Sequence, residues 1–323
     1  MTLVIVQKGH GGPEVLQPQE STTGLPGAGM VTLLQKAIGF NYFDVFQRKG
    51  LISNNSSDGV MGIEGAGIVT EVGAGVQGFA VGDRVGYLRS QGAYAHTRLI
   101  EADALYHLPD DVSFELAAAL TVKGFMAWLC TRQLFVVEHG QTVLVTTAAG
   151  GVGSLTTRLA AHFGARVIGV VGSRAKRHLA RASGAAEVAV GLDEAIELVE
   201  LHTRKMGVDV VFDGIGQRTA ERLFLAGTVR PGGTAISFGA SGGWPNADHD
   251  DVARRGFVFM APQAMHYLKS AGDLRAAMTE VFKLYRAGAF GEVSPSYYRL
   301  EDAAWLHQEV ESRSTAGIAV LIP

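Results

Sequence analysis

Residues 142–153 limit what this chain can fold into more than any other stretch. Thr142-Val143-Leu144-Val145-Thr146-Thr147 reads as a short strand, apolar enough to be buried on both faces. It leads into Ala148-Ala149-Gly150-Gly151-Val152-Gly153 and then into a helical stretch over 155–163. An A-x-G-x-x-G spacing after a strand and before a helix is the dinucleotide-binding turn. Gly150 lets the main chain approach a pyrophosphate, Gly153 lets the helix pack close to the strand, and the helix start offers N–H groups and a positive dipole end. Ala149, Gly150, Gly151, Val152 and Gly153 are therefore candidate cofactor-binding residues. A glycine-rich turn without a ligand is the alternative, and the rhythm around it argues against that.

Strands at 166–171, 188–190, 208–213, 234–238 and 256–260 alternate with helices at 176–183, 194–206 and 218–229. Continuous apolar strands alternating with helices call for a parallel sheet covered on both faces, hence an α/β, doubly wound domain. Residues 239–251, rich in Gly, Asp and Ser, read as a long loop. The first third differs: strand-like runs at 3–6, 30–37, 67–72, 84–87 and 93–100 are bounded by Gly, Pro and Asn, which is a β-rich pattern. Ser113 with Glu115 marks a capped helix start, residues 274–287 read as a helix, and residues 297–323 return to mixed character.

Composition excludes some classes of function. The chain has 323 residues, 47% hydrophobic, with a formal net charge of -3, so a sizeable core is available and no basic face for nucleic acid stands out. One cysteine, Cys130, rules out an intrachain disulfide and a Cys-rich zinc lobe, which suits a reducing, cytoplasmic setting. The start lacks the pattern of a signal peptide, and no unbroken apolar run has the length of a membrane span. A soluble, unprocessed protein with no membrane partner is expected.

The residues after the second strand choose the cofactor. An NAD enzyme carries a carboxylate there for the ribose 2′-hydroxyl, whereas this chain has Gly172-Ser173-Arg174-Ala175-Lys176-Arg177. Ser173, Arg174 and Lys176 suit a 2′-phosphate through charge-assisted hydrogen bonds, with Arg177 one residue further, so NADPH is the expected cofactor. The alternative is a set of solvated charges at a helix start.

Other stretches carry a resemblance. Glu71-Val72-Gly73-Ala74-Gly75-Val76 with Phe79, then Gly82-Asp83-Arg84-Val85, resembles the catalytic-domain signature of the medium-chain dehydrogenase/reductase superfamily. Gly11-Gly12-Pro13-Glu14-Val15-Leu16, Ala37-Ile38-Gly39-Phe40-Asn41-Tyr42-Phe43-Asp44, Gly92-Ala93-Tyr94, Glu311-Ser312-Arg313 and Leu321-Ile322-Pro323 are similar to its zinc-independent quinone oxidoreductase, zeta-crystallin-like branch. The likeness runs end to end. It implies a GroES-like catalytic domain built from residues 1–118 and 264–323, a Rossmann nucleotide domain over 119–263, and a homodimer joined through edge strands near 256–260. It also implies catalytic roles for Asn41 and Asp44 and cofactor contacts from Lys123, Met126, Gly214, Phe238, Gly239, Ala240, Phe259, Met260 and Arg313. Two readings stay open for several of these. Asn41 and Asp44 equally suit a helix cap, Lys123 a solvated helix lysine, and Phe238, Phe259 and Met260 plain core residues.

Where zinc dehydrogenases of the superfamily have Gly-His-Glu, this chain has Gly62-Ile63-Glu64, and its ten histidines show no ligand spacing, so no metal site is expected. Without a Lewis acid the acceptor must already be electrophilic: a quinone, or a carbonyl conjugated to C=C, whose reduced anion is delocalised and needs only hydrogen-bond donors and a proton. Gly124-Phe125-Met126 stands where relatives often carry Gly-Leu-Thr, and Phe46, Ile52 and Gly191 stand where they carry tyrosines, which implies a more apolar pocket. An NADPH-dependent reductase of a quinone or enone is the leading expectation. An enoyl or alkenal reductase and a non-catalytic NADPH binder are the alternatives.

Overall fold

The computed structural model describes residues 1–56, 58–88 and 90–323. The chain divides into two compact units, one of Met1–Val122, Tyr267–Glu280 and Val293–Pro323, the other of Lys123–His266 and Val281–Glu292.

In the first unit β1 (Thr2–Gln7) and β2 (Leu16–Ser21) form an antiparallel ribbon. β3 (Met30–Gly39) leads into α1 (Tyr42–Arg48) and is followed by β4 (Glu64–Val72), β5 (Arg84–Leu88), β6 (Thr97–Glu101) and β7 (Leu105–His107). β3 pairs antiparallel with β4 and β6, β4 with β5, and β5 with β7. Val31, Leu33, Ile38, Val69, Val85 and Tyr87 from these strands are fully buried in one core. Residues 93–100, read from sequence as one strand, are strand only from Thr97, because Ala93, Tyr94 and Ala95 bond irregularly to Gly62, Met61 and Ala93. β2, whose four exposed positions hold Gln17, Pro18, Gln19 and Glu20, carries no apolar period to detect.

The Ser113 hydroxyl accepts the Leu116 N–H at 3.1 Å, capping α2 (Phe114–Trp128), which runs on as a π turn over Leu129–Leu134. That stretch is long and apolar enough to cross a membrane by length and composition, yet 72% of its window is buried in the protein, as in a core helix.

The second unit alternates as expected: β8 (Thr142–Val145), α3 (Gly151–His162), β9 (Arg166–Val171), α4 (Arg177–Ala182), β10 (Glu187–Val190), α5 (Gly191–Thr203), β11 (Val208–Asp213), α6 (Gln217–Thr219), β12 (Val229–Ser237), α7 (His249–Arg255) and β13 (Val258–Met260). All pairings are parallel, in the order β10-β9-β8-β11-β12-β13. The chain builds outward from β8 in one direction, then returns to β11 and builds in the other, so the order reverses between β8 and β11. Two sequence expectations fail here. The helix expected over 218–229 breaks early: α6 passes into a π turn over Ala220–Phe224, and Val229 already opens β12. The loop expected over 239–251 contains the start of α7, whose cap is Asp248, accepting the N–H groups of Asp250 and Asp251.

After α8 (Ala271–Arg286), the chain ends with β14 (Ser296–Arg299), α9 (Ala303–Glu311) and β15 (Ala319–Ile322). β15 pairs antiparallel with β3 and parallel with β14, so both chain ends build the GroES-like sheet of the first unit.

Candidate active site

The turn after β8 is shaped by sterics. Thr147 has φ of +53°, a left-handed conformation that a β-branched residue rarely adopts, and its carbonyl accepts the Gly150 N–H at 2.7 Å. A Cβ on Gly153 would lie 2.2 Å from that same carbonyl oxygen, so this position admits only glycine. One on Gly150 would sit 3.2 Å from it, tight but not forbidden. Gly150 is the extended N-cap of α3, and Gly151, Val152 and Gly153 form its first turn, where N–H groups have no partner within the helix. Ala149 is buried beneath.

At the end of β9, Ser173 caps a short turn over Arg174–Lys176; Ser173 and Lys176 are half-buried and Arg174 is exposed. Arg177 is engaged elsewhere, since its guanidinium bonds Glu194, whose other oxygen accepts the Val190 N–H at 2.8 Å. The Val190 bond, aided by Arg177 and Arg174, holds the Glu194 carboxyl below its ordinary range.

The ends of β8, β11 and β12 bring several expected residues together. A Cβ on Gly214 would meet the Thr147 hydroxyl at 2.4 Å and the Phe238 ring at 3.1 Å, and one on Gly239 would meet the Gly214 carbonyl at 2.3 Å. Ala240 follows, half-buried. Phe259 and Met260 lie on β13, opposite Ala235 and Ile236 of β12, and the Phe259 ring packs on Phe224 at 5.9 Å, a core contact. On α2, Lys123 is only 5% exposed, which removes the reading of it as a solvated lysine; Met126, one turn on, is 6% exposed.

Asn41, Asp44 and Arg313 belong to the other unit. Arg313 is exposed at φ +62°, just past α9. Asn41 and Asp44 form a capping box at the start of α1, with Asp44 Oδ2 accepting the Asn41 N–H at 2.9 Å. They also do more than cap. The Asn41 amide donates to Glu64 Oε1 at 2.8 Å, and Glu64 Oε2 accepts the Val122 N–H at 2.7 Å. Asp44 Oδ2 accepts the Tyr94 hydroxyl at 3.0 Å, and that hydroxyl lies 3.2 Å from His307 Nε2. Burial, then the Asp44 charge, pushes the Tyr94 phenol well above its usual value. Burial, then nearby Arg48, pushes the His307 ring down to about 3. The fully buried Arg48 bonds Glu311.

In the sequence Glu64, Tyr94 and Thr146 stand out only as parts of motifs and Asp213 only as the end of a strand, while His307 and Arg48 do not stand out at all. A polar residue inside an apolar run was the available signal for Asp213, at the end of Val208-Asp209-Val210-Val211-Phe212. His307 carries no such mark.

Two family models match: the alcohol dehydrogenase GroES-like domain over residues 27–110 and the zinc-binding dehydrogenase over residues 151–281. The quinone oxidoreductase of Salmonella typhimurium is 37% identical over 320 residues, 97% of each chain. The chain belongs to the quinone oxidoreductase branch of the medium-chain dehydrogenase/reductase family. It is accordingly an oxidoreductase. The crystal structure of Escherichia coli quinone oxidoreductase complexed with NADPH, 34% identical, matches all of both chains with a TM-score of 0.92. A 2-haloacrylate reductase of Burkholderia sp. is 33% identical over 100% of this chain and 99% of its own. One matching model is named for zinc; among the described residues no group of three or more His, Cys, Asp or Glu is placed to hold a metal.

Proposed function

We propose that the chain is an NADPH-dependent reductase that transfers a hydride to a quinone or another conjugated carbonyl without zinc. The observation that carries the reading is the glycine-walled turn after β8 followed by a β9 end that offers Ser173, Arg174 and Lys176 and no carboxylate. NADPH has two anionic groups along its length. The α3 N-terminus suits the pyrophosphate, and the two cations with the Ser173 hydroxyl suit the 2′-phosphate. At Gly150, Gly153, Gly214 and Gly239 the chain packs closely on its own neighbours, Thr147, Phe238 and Gly214, which holds the turn in the shape this reading needs. When bound the cofactor supplies a hydride from nicotinamide C4.

The protein's own residues bind and orient. Lys123, Met126, Phe238, Ala240, Phe259, Met260 and Arg313 are the further cofactor contacts of this reading. Asn41, whose amide group is oriented by its hydrogen bond to Glu64, is in this reading the donor for the oxygen that gains charge. Asp44 is a positioning residue that holds Asn41 and Tyr94. Steady-state rates with NADPH and NADH test the reading. NADPH should be preferred, and Arg174→Ala should lower that preference about tenfold. An unchanged preference in the variant would remove Arg174 from the 2′-phosphate site, and preference for NADH in the parent would remove the reading itself.

A second acceptor class is favoured by the 2-haloacrylate reductase among the relatives and by the thioether of Met126. Turnover of 1,2-naphthoquinone against an α,β-unsaturated aldehyde, acid or thioester separates the two. We also assign the protein to the cytoplasm, supported by its single buried thiol, Cys130, and to a homodimer through β13, supported by the 49% exposure of Val258 on that edge strand. The nucleotide-binding domain is proposed to span 119–263.

A further inference from the structure

Asp213 closes β11 where the strand order reverses, and it has no exposed surface. Its carboxylate collects five donors: Oδ1 accepts the hydroxyls of Thr146 at 2.7 Å and Thr219 at 2.6 Å and the Ile215 N–H at 2.9 Å, while Oδ2 accepts the Gly216 N–H at 2.9 Å and the Ser237 hydroxyl at 2.6 Å. Its backbone carbonyl accepts the N–H groups of Phe238 at 2.8 Å and Gly239 at 3.3 Å. The Thr146 hydroxyl in turn accepts the Gly214 N–H at 2.8 Å, so its own proton must point at Asp213. One side chain thus ties together the C-terminal ends of β8, β11 and β12 and the start of α6.

A strand end in a parallel sheet needs no such group to fold, because apolar residues seal it at lower cost than a buried charge. A fully satisfied polar network adds rigidity and a single geometry. The segments held in that geometry are residues 214–216 and 238–239. They lie on the β11–β13 half of the sheet. In a doubly wound fold the first half, here β8–β10, takes the adenosine end, and the second half takes the other nucleotide.

We propose that Asp213 is a positioning residue for the nicotinamide half of the dinucleotide, with Thr146 relaying its hold to Gly214. The proposal rests on the dinucleotide-binding reading above. Asp213 does not touch the reaction; it fixes the main chain that does. Asp213→Asn places its NH2 group against either the Ile215 or the Gly216 N–H, neither of which can turn away.

Calorimetry with two ligands tests it: NADPH, and 2′,5′-ADP, which carries the adenosine and its phosphates without nicotinamide. Asp213→Asn should weaken NADPH about tenfold or more while 2′,5′-ADP stays within about twofold. Thr146→Val should move NADPH in the same direction by less, and Thr146→Ser, which keeps the hydroxyl, should restore it. Equal loss of both ligands would reduce Asp213 to a structural role and overturn the proposal, as would unchanged NADPH binding in both Asp213→Asn and Thr146→Val. If Asp213→Asn fails to fold, the Thr146 pair decides alone. A parent protein that bound neither ligand would instead sink the dinucleotide reading beneath.

Discussion

Each unit buries a polar cluster, and the two clusters are completed differently. Around Asp213 every acceptor site is met by a donor within normal range. In the GroES-like unit the chain Asp44, Tyr94, His307 and the nearby pair Arg48 and Glu311 leave Arg48 Nε and Nη1 and His307 Nδ1, all buried, without a hydrogen-bond partner among the described residues. A saturated cluster behaves as a fixed part of the frame. An incomplete one lowers stability and answers to pH.

Three experiments sharpen or break that contrast. The largest effect is expected beside the saturated cluster, where Gly153→Ala drives a methyl against the Thr147 carbonyl. We expect a loss of about 4 kcal/mol or more, read by chemical denaturation; a loss no larger than a helix-propensity change would show that the turn can relax and is not rigid. Next, Glu311→Gln removes the charge that answers the buried Arg48 guanidinium and should cost about 3 kcal/mol in the same assay. A neutral outcome would mean that Arg48 is not held by this pair. Smallest is the response to acid. Because burial holds the folded His307 ring down to about 3 and an unfolded histidine titrates near its ordinary value of 6.5, the unfolded chain binds the extra proton between those values. His307 therefore contributes its full stability above about pH 6.5 and loses it as pH falls toward 3, with a slope of at most about 1.4 kcal/mol per pH unit. Unfolding midpoints followed from pH 7 to 5 should show this slope, and His307→Leu should flatten it.

The alternation of the nucleotide unit was legible in the sequence because strands buried on both faces leave unbroken apolar runs, as in Arg166–Val171 and Val208–Asp213. Elements whose reason for existing is polar or tertiary were not. α7 is a seven-residue helix of mainly charged side chains held by an aspartate cap, and its sequence looks like a loop. The pattern before β12 looks helical as far as Val229 because nothing in Ala220-Glu221-Arg222-Leu223-Phe224 announces a π turn. The glycine turn and the cations after β9 were visible because each sits at a fixed offset from a strand. The Asp213 and His307 clusters were not, since their members come from distant stretches that only the folded chain brings together.

Thr147 has one more consequence. A threonine held in left-handed backbone, with Gly150, Gly153 and Gly214 closed around it, has few other shapes to sample. The freedom of that turn was given up when the chain folded. A ligand arriving there meets a receptor that need not be frozen first, so more of its contact energy appears as affinity.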